Sequence, residues 1–180
     1  MQRDTTTLAQ RLGITAPTSP LLMKVRRMAR AEGMTQPQDW LRGVANRRGY
    51  RVIVPARPEA ALLTDVPLEQ LSNEELAVAI LHPAGKDRPQ LLRLAAQIIS
   101  RGHMDIPRLL HLSRMECAAR ILRELSHQAL KVEASHPVWS EIDWQLQGEQ
   151  PLRDALIHWT RLAEPVPSKK FIACGWRLVA

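Results

Sequence analysis

The stretch 22–51, LMKVRRMARAEGMTQPQDWLRGVANRRGYR, holds Lys24, Arg26, Arg27, Arg30, Arg42, Arg47, Arg48 and Arg51 against only two acids, Glu32 and Asp39. Cations gathered on one surface can hold phosphate. Arginine suits the task because its planar fork donates two parallel hydrogen bonds to phosphate oxygens. Tyr50 follows within the same stretch and offers a ring on which a base can stack. The nine residues Lys24, Arg26, Arg27, Arg30, Arg42, Arg47, Arg48, Tyr50 and Arg51 are therefore the expected contact set for nucleic acid. The competing reading is a solvated helix face, or a dock for an acidic protein.

Catalytic chemistry has less to work with. The six histidines (His82, His103, His111, His127, His136 and His158) are scattered, and His82 and His136 precede proline, which is turn chemistry. There is no HExxH, GxxxxGK[ST], GxSxG or glycine-rich phosphate loop. Cys117 beside His111 or His127 is a conceivable nucleophile pair, but helical periodicity puts Cys117 on an apolar face, where an inert buried thiol is the ordinary outcome. Cys117 and Cys174 make no CxxC or Cys/His cluster. The expectation is a non-enzyme with no metal and no cofactor.

Helices must position these groups. Aromatics are 4% of the chain, so the core has to be built from Leu, Ala, Ile and Val, which favours packed helices over sheets. Ser19 and Pro20 open a helix whose apolar stripe is Leu21, Leu22, Val25, Met28 and Ala29 and which closes at Glu32-Gly33. Thr35 is the expected cap of the next, with Trp40, Leu41, Val44 and Ala45 inward and Gly49 at its end. So short a link makes the pair a hairpin. Ser72-x-x-Glu75 is a capping box for a helix that stops before Pro83. DRPQLLRLAAQIISRG is a broadly apolar helix, and DIPRLLHL a short one capped by Asp105. Ser113-x-x-Glu116 is the expected start of a long helix to about residue 131.

Residues 132–150 look irregular, with Trp139 and Trp144 as core together with Trp159 and Trp176, and 151–163 look helical. A short helix over 4–13 and a minor β element pairing 51–54 with 170–179 complete a mainly α, multi-helix bundle.

Two segments resemble parts of DNA-reading motifs. LAQRLGIT (8–15) resembles the first half of a helix-turn-helix, but Pro17 and Pro20 fall where the second helix should run. DIPRLLHLSRMECAARILREL (105–125) resembles a winged-helix reader, with ALKVEASHPVW as wing. It departs from that pattern at Pro107 and His111, and Glu116 and Glu124 nearly balance Arg114, Arg120 and Arg123.

The distribution of charge decides among functions. Residues 1–57 carry eleven Lys and Arg against three acids, whereas residues 58–180 carry fourteen against fifteen, so the first third holds the whole excess of a chain with net charge +7. This predicts a basic helical region over 1–58, a linker over 59–71 and a helical bundle over 72–180. The function expected is nucleic-acid contact through the hairpin 22–51, alone or within a larger complex. The alternatives are an adaptor whose basic face docks an acidic protein, and a winged-helix-like repressor using 105–127. Residues 72–163 would contact a protein partner or a second copy. No run of 18 apolar residues and no apolar leader are present, so the expected setting is the cytoplasm, in a bacterium by the arginine-rich usage, and away from membranes.

Overall fold

A computed structural model describes residues 19–50, 65–83 and 89–150. Over these the chain forms seven helices: α1 (Pro20–Ala31), α2 (Pro37–Arg47), α3 (Asn73–Leu81), α4 (Pro89–Arg101), α5 (Ile106–Met115), α6 (Ala119–Val132) and α7 (Pro137–Gln145). No strand occurs among the described residues. The expected β element, the helices over 4–13 and 151–163, Arg51 and the first resemblance to a helix-turn-helix lie outside them.

Local chemistry sets several helix ends as read. Ser19 Oγ accepts from Leu22 N at 2.9 Å, and Pro20 follows in the first turn of α1. Ser72 and Glu75 make both halves of the capping box of α3, at 3.2 and 2.9 Å. Asp105 Oδ1 accepts from Arg108 N at 3.0 Å. Gly33 and Gly49 take the left-handed conformation (φ 74° and 86°) just past the ends of α1 and α2, where a Cβ would be strained.

α3 is the centre of the assembly. Leu76 to Leu81 are all buried, and so is Glu74. A helix apolar all round must be covered on every side. α4 packs along it most extensively, and α1, α2 and α5 also pack on it. α1 and α2 pair as the expected hairpin, burying Leu21, Val25 and Ala29 against Trp40, Leu41, Val44 and Ala45. α6 and α7 pack on each other, and α7 also meets α4 and α5. A single hydrophobic cluster runs from Leu21 to Leu146.

Four local expectations are corrected. Thr35 does not cap α2: Gln36 takes that position, with no side-chain cap bond. Ser113 does not open the long helix. Its hydroxyl donates to Leu110 O inside α5, which runs on to Met115, and α6 starts only after Ala118, without a side-chain cap. The reason is tertiary, since Glu116 is recruited by α1 and so is lost to a local capping box. Cys117 consequently sits in the turn, exposed and at φ 56°, not on a buried helix face. Finally, 137–145 is a helix rather than irregular chain, with Trp139 buried in the core and Trp144 63% exposed.

Candidate functional site

The hairpin sorts its cations into two groups. Four are held by the protein itself. Lys24 Nζ lies 2.8 and 2.9 Å from the two oxygens of Glu75. Arg42 pairs with Asp39 at 3.4 Å, one turn away on the same helix. Arg47 reaches Asp65 at 3.2 Å, an exposed pair that adds little to stability. Arg48 is bound most fully: its guanidinium donates to Asn73 Oδ1 at 3.0 Å, to Val66 O at 3.1 Å and to Leu71 O. It fastens the end of α2 to the chain entering α3.

The other group is Arg26, Arg27 and Arg30. All three are exposed, and none makes an ion pair or side-chain hydrogen bond with the described residues. They follow from the amphipathic register of α1. With Leu21, Val25 and Ala29 inward, positions 26, 27 and 30 must face out. Met23, 50% exposed, lies on the same side at i−3 and i−4.

Tyr50 does not present its ring as expected. It is 9% exposed and belongs to the core. A methyl group added at Gly102 would lie 3.2 Å from the Tyr50 hydroxyl and 3.4 Å from Asn73 Nδ2, so the ring is packed against the end of α4. Burial raises the phenol above its ordinary value, with Arg48 and Arg101 opposing. Burial likewise lowers Arg48, against the fields of Tyr50, Glu74 and Glu75. A cleft of about 480 Å³ opens beside them, lined by Val44, Arg47, Arg48, Tyr50, Asp65, Val66, Pro67, Leu68 and Asn73. Its arginines are already bonded within it, Arg47 to Asp65 and Arg48 to Asn73.

The position of α1 depends on a residue that sequence reasoning assigned elsewhere. Glu116, 5% exposed, accepts from Leu21 N at 3.2 Å and from Ser19 Oγ. A carboxylate here meets the unpaired N–H groups and the positive end of the α1 dipole. The two ends of this contact are 95 residues apart, and no local pattern announces it. His82, at the end of α3, lies in the fields of Glu116 and Arg26. Burial lowers its pKa, Arg26 adds to that, and Glu116 opposes it.

The segment resembling a winged-helix reader forms α5, a turn and α6. Its arginines are engaged within the protein. Arg114 Nη2 donates to Gln145 O at 3.1 Å, Arg120 Nε to Gln150 O at 2.9 Å, and Arg123 to Glu149 O. They satisfy carbonyls at and beyond the end of α7. The Cys117 thiol forms no hydrogen bond with His111 or His127.

Among the described residues, no group of three or more His, Cys, Asp or Glu could hold a metal ion, and no helix is long and apolar enough to cross a membrane. No family model, no curated protein and no solved structure matches this chain.

Proposed function

We propose that the chain is a non-enzymatic nucleic-acid-binding protein that contacts phosphate through the outer face of α1. The observation that carries this reading is the contrast within the hairpin. Lys24, Arg42, Arg47 and Arg48 have partners inside the protein, whereas Arg26, Arg27 and Arg30 stand exposed on one helix and make no ion pair with the described residues. Three like charges at i, i+1 and i+4 repel one another. A polyanion relieves that repulsion and releases its own counterions on binding. Of the expected contact set, the reading keeps these three as the direct contacts.

The test is a gel shift at low salt with duplex and single-stranded DNA and RNA, run on the wild type and on Arg26→Glu/Arg27→Glu/Arg30→Glu. The wild type should shift nucleic acid and the variant should not, with both melting at the same temperature. A wild type that shifts none of the four probes would refute the proposal. The face would then be left to an acidic protein.

A further inference from the structure

Glu116, one of the two acids expected to balance Arg114, Arg120 and Arg123, is not on the surface beside α5. Glu116 is buried, with its carboxylate turned to Ser19 and Leu21 of α1. What remains exposed along α5 is Pro107, Arg108, His111, Arg114 and Met115, at i, i+1, i+4, i+7 and i+8. Within α5 that face holds no carboxylate, and the exposed Asp105 at its start accepts from Arg108 N. Arg114 is tied at its end, through Gln145 O at 3.1 Å and Glu149 at 3.8 Å. The Arg108 side chain has no partner among the described residues.

This face lies beside α1. Both helices pack on α3. Ser19, at the start of α1, meets Glu116, just past the end of α5. Lys24, in the second turn of α1, holds Glu75 of α3. Arg108, at the start of α5, acts on the same Glu75 carboxylate. At the other end of α3, His82 lies in the fields of both Glu116 and Arg26. Two cationic helices thus border one strip of α3. Among the described carboxylates of that strip, Glu75 is neutralised by Lys24 through both oxygens, and buried Glu74 accepts from Asp105 N at 3.0 Å.

We infer that Arg108 and His111 extend the α1 interface, so that α1 and α5 together hold the sugar-phosphate backbone of a nucleic-acid duplex. The inference rests on the nucleic-acid reading of α1 and adds a second helix and a substrate class to it. The Arg108 fork and an imidazole N–H both donate to phosphate oxygens. The duplex follows from what the described surface of α1 and α5 lacks. Single-strand binders stack bases on aromatic rings. The aromatic residues described in or beside the hairpin, Trp40 and Tyr50, are buried, and α5 has none. The one exposed aromatic among the described residues, Trp144, lies on α7 between Glu141 and Asp143 in sequence. A surface of fixed cations without stacking platforms reads backbone, not bases.

Fluorescence anisotropy tests this with one labelled sequence as DNA duplex, RNA duplex and separate strands, from about 50 to 200 mM salt. The proteins are the wild type, Arg108→Gln, Arg108→Glu and the α1 triple variant. A duplex should bind at least as tightly as its strands. Arg108→Gln should reduce the slope of log affinity against log salt by about 1, and the α1 variant should weaken binding far more. Arg108 is exposed, so far-UV circular dichroism of its variants should match the wild type. Unchanged slope and affinity for both Arg108 variants would overturn the inference, and so would a single strand preferred tenfold over duplex. These outcomes differ from a wild type that binds nothing, which sinks the reading of α1 itself.

Discussion

The outer face of α1 and the corner where α5, α6 and α7 meet each carry three arginines, and they use them in opposite ways. At the corner, Arg114, Arg120 and Arg123 donate to the carbonyls of Gln145, Gln150 and Glu149. On α1, Arg26, Arg27 and Arg30 have no such acceptors. Helix geometry explains the difference. α7 ends against α5 and α6 and leaves its last carbonyls in need of donors, whereas Arg26, Arg27 and Arg30 donate to no carbonyl among the described residues. Equal arginine counts therefore mean a structural clamp in one place and an available surface in the other.

The comparison can be broken in four ways. The largest effect is expected on α1, where reversing Arg26, Arg27 and Arg30 should cost at least about 100-fold in duplex affinity without moving the melting temperature. Arg123→Met should do the reverse. Losing a charge-assisted bond to Glu149 O should lower unfolding stability by about 1–2 kcal/mol in urea titration, with nucleic-acid affinity unchanged. Equal effects of both changes on affinity would erase the distinction between clamp and surface.

A smaller effect concerns acid. Burial pushes the Glu75 carboxyl up, but the hydrogen bonds from Lys24 and Ser72 N–H outweigh it, and its pKa lies below the ordinary 4.5. A folded-state value below the unfolded one means stability that is complete above the unfolded value. It is lost as pH falls through the folded value. Glu75→Gln should therefore reduce stability at neutral pH and flatten the acid limb of a stability–pH profile. An acid limb identical to that of the wild type would show that the Lys24–Glu75 pair does not couple to folding. The smallest effect is at the turn before α6. Cys117→Gly should relieve the left-handed backbone and raise stability by up to about 1 kcal/mol in thermal melts.

Much of the fold was legible because its signals are local. The stripe from Leu21 to Ala29, the Ser72–Glu75 box, the Asp105 cap and Gly33 and Gly49 all act within one or two helical turns. The failures share a cause. Ser113-x-x-Glu116 has the spacing of a capping box, but Glu116 answers to Ser19 and Leu21 instead. Pro137–Gln145 was obscured by its short length and by two Trp residues five apart, of which packing buries only Trp139. The candidate site was half legible. Which arginines lie on which helix follows from periodicity, but which of them already have partners does not. Tyr50 shows the limit most plainly: the sequence puts it beside Arg47, Arg48 and Arg51, and the fold turns it inward against the end of α4.

From the sequence alone follow the helical character, the basic hairpin and the confinement of the net positive excess to the first third, because composition and helical period are properties of the chain itself. Tertiary structure decided which charges are spent. It paired Lys24, Arg47 and Arg48 with acceptors 18 to 51 residues away. It also drew Glu116 off α5 to cap α1. The physical reason is that a buried or half-buried charge must find a partner wherever packing brings one near, and sequence distance has no part in that choice.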